Sequence, residues 1–76
     1  MITVKIYGLL RIESGIKEIH LEAATVKEML DSLPSRGFSR KDLGGCVILV
    51  NGRSAGKRTK LTDVDTVILM SPVAGG

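Results

Sequence analysis

Seventy-six residues, 43% of them apolar, with a net charge of +3, suffice for one small domain with a single core. One cysteine excludes an internal disulfide, and one cysteine with one histidine excludes a structural zinc site. No apolar run approaches the ~20 residues of a bilayer span, and no basic region, apolar stretch and cleavage site mark a secretion signal, so a cytoplasmic protein without membrane contact is expected.

Ile2, Val4 and Ile6 alternate with Thr3, Lys5 and Tyr7, which predicts a strand with one buried face. Gly8 ends it, Gly15 marks the next turn, and residues 16–21 read as a second, more polar strand, giving a β-hairpin with a loop of moderate length. Thr25 and Glu28 are spaced as a capping box, in which each side chain bonds the other's backbone N–H. Val26, Met29, Leu30 and Leu33 then recur at helical spacing, and Pro34 stops the pattern, so a helix over residues 25–33 is predicted.

Residues 34–45 read as a loop or short turns, with Phe38 and Leu43 pinning them to the core. The unbroken apolar run from Cys46 to Val50 suggests a strand covered on both faces, and its parity is not settled by its pattern. Asn51-Gly52 is a strong hairpin-turn signal. Residues 53–60 hold at most a short edge strand, and Leu61 and the Asp63–Asp65 turn lead into a final strand over 66–71. Pro72 cannot donate to a ladder and closes it.

One helix covers only one face of a sheet, so this order predicts an α+β, β-grasp (ubiquitin-like) fold. We expect a mixed sheet of four to five strands with one main helix on one face. The domain spans residues 1–71, and residues 72–76 form a flexible tail expected to be disordered over 73–76 in the free protein. With Val67 and Leu69 turned to the helix, Ile68 and Met70 face away. Tyr7 then joins them in one exposed apolar patch, a usual mark of a partner surface, unless a loop residue such as Phe38 covers it.

Bases gather at Arg36, Arg40 and Lys41, and again at Arg53, Lys57, Arg58 and Lys60. Asp42, Asp63 and Asp65 interrupt them, and Tyr7 and Phe38 are the only aromatics. That favours an ordinary solvated surface over a nucleic-acid interface, which needs more stacking faces.

No Ser-His-Asp set, no paired acids at a plausible site and no phosphate-binding glycine loop such as G-x-x-x-x-G-K are present, which matches an expectation of a chain that is not itself an enzyme. Gly44-Gly45 reads as a loop leading into a strand. Cys46 reads as a small buried hydrophobe rather than a relay thiol, and His20 as a surface residue. Arg11 has two open roles, a loop salt bridge to Glu13 or an ion pair with a partner's carboxylate. The most telling residues are Gly75 and Gly76. Two glycines at a chain end place no side chain near the carboxylate, which can enter a narrow channel and be attacked from many directions.

Several segments together resemble the small subunit of molybdopterin synthase (MoaD-like proteins) within the MoaD/ThiS family of ubiquitin-like sulfur carriers. They are Tyr7-Gly8-Leu9-Leu10-Arg11 with Gly15 beyond it, Val50-Asn51-Gly52, the Leu61–Val67 turn, and Ser71-Pro72-Val73-Ala74-Gly75-Gly76. The thiamine-pathway (ThiS-like) carriers, which share the fold and the Gly-Gly end, rank second. Two positions depart from the pattern. Val64 replaces a usual glycine, where a positive φ would cost about 1–2 kcal/mol, and Ser71 replaces a proline, which would loosen the tail slightly.

The resemblance implies a carrier that binds no cofactor. An E1-like, ATP-dependent activating enzyme (MoeB-like) adenylates Gly76, and sulfur transfer leaves a 1-thioglycine there. A large synthase subunit (MoaE-like) then receives the tail for molybdenum or tungsten cofactor synthesis. Tyr7, Arg11, Ile68, Met70, Pro72, Val73 and Ala74 would contact partners, with Gly75 and Gly76 entering their active sites, and the free protein would be a monomer. Sulfur carriage for thiamine thiazole, cysteine or tRNA, and protein modification through the same carboxylate, remain open alternatives.

Overall fold

Side-chain alternation makes Ile2–Tyr7 a strand (β1) whose inward residues Ile2, Val4 and Ile6 are buried while Tyr7 is exposed. The computed structural model describes residues 1–71; the expectations for Pro72, Val73, Ala74, Gly75 and Gly76, including disorder over 73–76, lie outside the described residues. After β1 come a short helix α1 (Leu9–Ser14), strand β2 (Glu18–Leu21) and the main helix α2 (Val26–Ser32). A 3-10 turn (Pro34–Arg36), a short helix α3 (Arg40–Gly44), β3 (Val47–Val50), β4 (Arg53–Ser54) and β5 (Thr66–Met70) complete the fold.

The five strands form one sheet in the order β2-β1-β5-β3-β4. Only β1 and β5 run parallel; the other neighbours are antiparallel, so the sheet is mixed, as expected of a β-grasp. The expected register holds: Val4 pairs with Val67 and Ile6 with Leu69, all fully buried beneath Val26, Met29 and Leu33 of the α2 segment. Phe38 and Leu43 are buried in this same core, as expected, although Leu43 lies on α3 and residues 34–45 are not simply a loop. Phe38 therefore cannot cover the opposite face.

Thr25 caps α2, its Oγ1 accepting from the Glu28 N–H at 3.2 Å. The reciprocal half of the capping box does not form among the described residues. The first turn is instead strapped by the loop after β4: the Val26 and Lys27 N–H groups donate to the carbonyls of Thr59 and Lys57, each at 3.0 Å. These donors have no intrahelical partner, so the strap satisfies them. Among the described residues no helix is long and apolar enough to cross a membrane.

Three expectations need correction. The segment between β1 and β2 is not a plain hairpin loop, because it contains α1, which buries Leu10. The Cys46–Val50 run is not covered on both faces. Only Cys46, Ile48 and Val50 pack on the core, because the molecule has a helical layer on one side alone and Val47 is left 47% exposed. Val64 carries no strain: Asn51 is the only non-glycine residue with positive φ among those described, so the 62–65 turn closes without the left-handed geometry that a glycine would supply.

Asn51 and Gly52 adopt φ of 51° and 83°, the paired positive angles of a tight hairpin turn between β3 and β4. The Asn51 amide also reaches Asp65 Oδ1 at 2.8 Å and accepts from the Thr66 N–H at 3.0 Å, pinning the start of β5. Asp65 in turn accepts from the Thr62 N–H at 2.8 Å. These bonds, first that from Thr62 and then that from Asn51, hold the Asp65 carboxyl below the usual carboxylate range. A depressed folded-state pKa contributes stability above the unfolded value of ~3.9, which is lost as pH falls through the folded value. We expect the urea midpoint to drop on acidification below about pH 4, and Asp65→Asn to lose less over that window. Identical acid sensitivity in both proteins would show that this turn does not hold a proton-linked contact.

Candidate functional site

The uncovered face of the sheet is where the candidate partner residues Tyr7, Ile68 and Met70 gather. Residues paired across strands point to the same side, so Tyr7, Met70 and Val47 form one row, and Lys5, Ile68 and Leu49 the next. Tyr7 is 39% exposed, Met70 40% and Val47 47%, a contiguous apolar strip; among the described residues the other exposed large apolar groups are Met1, Ile12 and Val64, none of them on this row. Tyr7, Ile68 and Met70 are therefore brought together as the alternation predicted. Val47 and Leu49 were missed, because an unbroken apolar run carries no period from which to read its parity.

The strip lies at the edge of the sheet where the chain leaves β5. Because β1 and β5 are parallel, their C-terminal ends meet there: the Ser71 N–H donates to the Tyr7 carbonyl at 3.4 Å. Ser71 is buried, and its Oγ accepts from the Leu10 N–H at 2.8 Å. That N–H stands in the first turn of α1, where no intrahelical carbonyl can reach it. At residue 71 itself serine supplies an acceptor that proline lacks; the expectation that it loosens the tail falls on residues outside those described.

Gly8 makes the close approach possible. Its φ is 74°, and a Cβ built there would lie 2.6 Å from the Ser71 carbonyl oxygen. Only glycine meets both demands.

Arg11, on α1, is exposed and forms no ion pair among the described residues. The bridge to Glu13, one of the two roles left open, does not form among the described residues; Asp42, through hydrogen bonding and then its charge, pushes the Glu13 carboxyl upward. Arg11 instead borders a shallow depression with Tyr7, Lys5 and Lys17. Cations thus flank one end of the apolar strip, and Ile12 beside Arg11 also stands out into solvent. Lys5 and Lys17 were not singled out by sequence, since isolated lysines on polar strands look like ordinary surface.

The remaining candidates are structural. Cys46 is half-buried, its Sγ donates to the Asp42 carbonyl at 3.2 Å, and burial, then the Asp42 charge, push its thiol up, away from the reactive thiolate. His20 is an exposed residue with Nε2 3.0 Å from Glu18 and Nδ1 3.3 Å from Thr3 Oγ1. Among the described residues no group of three or more His, Cys, Asp or Glu could hold a metal ion.

This geometry can be compared with known proteins. The sequence model of the ThiS family matches residues 4–76. Small archaeal modifier protein 1 from Methanosarcina acetivorans is 29% identical with a TM-score of 0.80, covering 99% of this chain and 95% of that one. A chain of the BexX/CysO complex from Amycolatopsis orientalis is 27% identical with a TM-score of 0.75, covering 100% of both chains. A chain of the complex of subunits 1 and 2 of molybdopterin-converting factor from Helicobacter pylori is 26% identical with a TM-score of 0.75, covering 99% and 97%. No curated protein sequence matches significantly.

The junction around Ser71 yields a graded expectation. Gly8→Ala should cost at least about 2 kcal/mol, from positive φ plus the contact with Ser71. Gly15→Ala, at φ 72° and ψ 7° in the left-handed region with open space around its Cβ, should cost about 1 kcal/mol, whereas Gly8 stands at φ 74° and ψ −148°, a region open essentially to glycine alone. Ser71→Ala, which leaves a buried N–H unpaired, should cost about 1–3 kcal/mol. Urea unfolding of the three variants checks the order, and equal costs for the two glycine variants would refute the crowding at Ser71.

Proposed function

The chain belongs to the ThiS family of ubiquitin-like sulfur carriers, and from that premise we propose that its Gly76 carboxylate carries sulfur as a thiocarboxylate. The observation that carries the reading is the exit of the chain from a buried, hydrogen-bonded Ser71 at the end of an uncovered apolar strip. A partner seated on that strip receives residues 72–76 beside its own active site. Those residues span at most about 17 Å when extended.

A carboxylate is a poor electrophile. The chemistry therefore begins outside the carrier: a Gly76 oxygen attacks the α-phosphorus of ATP on an activating enzyme and pyrophosphate leaves. Sulfide then attacks the acyl carbon of the mixed anhydride, AMP leaves, and a terminal 1-thioglycine remains. The carrier is a co-substrate that needs no bound cofactor. Tyr7, Ile68 and Met70 dock the partner, Arg11 pairs with a partner carboxylate, and Pro72, Val73 and Ala74 thread the channel that admits Gly75 and Gly76.

We favour the role of small subunit of molybdopterin synthase, with a large catalytic subunit as sulfur acceptor, on the strength of the Tyr7–Arg11 segment and the Pro72–Gly76 tail. The likeness to the H. pylori subunit complex supports it. A second reading, modification of protein lysines through the same carboxylate, is favoured by the likeness to a small archaeal modifier protein. The acceptor separates the two.

The test is loading by a cognate activating enzyme with ATP and sulfide. The intact chain should gain about 16 Da as sulfur replaces oxygen. Deleting Gly76 moves the reacting carbonyl back by about 3.5 Å, and a misplacement of even ~1 Å can cost about a hundredfold in rate. The truncated chain should therefore load at least a hundredfold more slowly, with an unchanged melting temperature. Met70→Glu and Tyr7→Glu should weaken partner binding about tenfold or more with little loss of folding. Equal loading of the truncated and intact chains would overturn the assignment.

A further inference from the structure

The sequence holds two basic clusters that sulfur carriage does not use. The fold brings one member of each together with a third base, on the helical side of the molecule. Arg40 begins α3, Lys57 lies in the strap after β4, and Lys27 lies in the first turn of α2. The three border a cleft of about 180 Å³ whose floor includes Leu30, Pro34 and Leu43.

Asp31 is the one carboxylate there. It is bonded to Lys27 Nζ at 2.7 Å, and its carboxyl is held low first by that bond, with further help from the charges of Arg40 and Lys57. One carboxylate against three cations leaves the cleft positive. Arg40 and Lys57 form no ion pair among the described residues. Like charges brought together oppose folding, so core packing gives no reason for this convergence.

The cleft is also fixed in place. The Lys57 carbonyl accepts from the Lys27 N–H at 3.0 Å, which ties the strap to α2, and buried Leu43 anchors α3 to the core. Leu30 is only half-buried, although it shares the face of α2 that packs inward, because the cleft opens beside it.

We propose that this cleft docks an acidic segment of a partner protein, with one apolar side chain of that segment seated on Leu30 and Leu43 and its carboxylates meeting Arg40, Lys57 and Lys27. Charge complementarity selects the sign of the occupant. The apolar floor selects a peptide over nucleic acid, because no aromatic residue lines the cleft to stack a base. The cleft lies on the side of the sheet opposite the Tyr7–Met70–Val47 strip, so a partner can hold the chain here while the strip and the tail stay available to another.

The probe is a blocked peptide with one leucine between two runs of glutamate, titrated into the isotope-labelled full chain and followed by amide chemical shifts. Saturable shifts should centre on Leu30, Leu43, Gly44 and Lys57 and leave Tyr7 and Val47 unmoved. The Arg40→Glu/Lys57→Glu double variant, with an otherwise unchanged spectrum, should bind at least tenfold more weakly. Replacing the leucine by serine should also weaken binding at least tenfold, and raised salt should weaken it further. Absent or non-saturable shifts, shifts centred on the strip, the same shifts from inorganic phosphate alone, or tighter binding of a single-stranded oligonucleotide at these residues would each overturn the proposal. Deleting Gly76 should leave the titration unchanged, so its outcome is separate from that of the sulfur-loading assay.

Discussion

The parallel pairing of β1 with β5 is the constraint on which the rest of the molecule depends. It places Val4, Ile6, Val67 and Leu69 side by side at the centre of the sheet, where all four are fully buried. A chain of this size has one main helix to cover them, so the other face stays open. Strand geometry then leaves no choice about what is exposed. Every residue between two buried ones points outward, and the register aligns Tyr7 with Met70 and Met70 with Val47. The exposed apolar strip is thus a consequence of how the core is built, and polar substitutions on it would leave the core untouched.

Parallel strands also end together. In an antiparallel pair the exit of β5 would lie beside the start of β1, but here it lies beside the end of β1 and the helix that comes after it. Gly8, Leu10 and Ser71 meet at that corner. The Leu10 N–H is an orphan of the first turn of α1, Ser71 Oγ satisfies it, and Gly8 has no side chain to keep the two apart. One hydrogen bond therefore fixes both the root of the tail and the helix that carries Arg11. The distance between Arg11 and residue 71 is thereby set by the fold.

Most of this was legible from local pattern. Alternation gave β1 and its buried face, the Val26–Leu33 spacing gave α2, Thr25 gave its cap, and Asn51-Gly52 gave the hairpin. Each is a signal confined to a few neighbouring residues, where backbone geometry and side-chain chemistry act directly. The features that were missed depend on contacts distant in sequence. The six residues of α1 are too few to show a helical period, and their helix is held by packing of Leu10 and by Ser71. The parity of β3 was hidden because Val47 to Val50 are all apolar, and only pairing with β5 decides which of them face the core. Ser71 looked like a weakened proline because its partner lies sixty-one positions away in sequence. The convergence of Lys27, Arg40 and Lys57 was invisible for the same reason: two clusters and a lone lysine look like solvated surface until the strap and α3 bring them to one cleft.

A carrier whose reacting group is its own chain end has a particular physical problem. Under the proposed function the same carboxylate is presented first to an enzyme that activates it and then to one that consumes the sulfur. Recognition has to come from surfaces away from the reacting atom. The strip beside Ser71 is shared by any partner that takes the tail, because it is where the tail begins. It can supply affinity, but it must release one partner before it engages the next. A second surface on the far side of the sheet escapes that exclusion. The positive cleft between α2, α3 and the strap has this position, and its charge gives it a selectivity that an apolar strip lacks. An apolar face admits any complementary apolar face, whereas exposed cations over a small apolar floor discriminate by sign as well as shape. On a domain with one core, dividing affinity and selectivity between two faces allows successive partners to be told apart without altering the tail they would both accept.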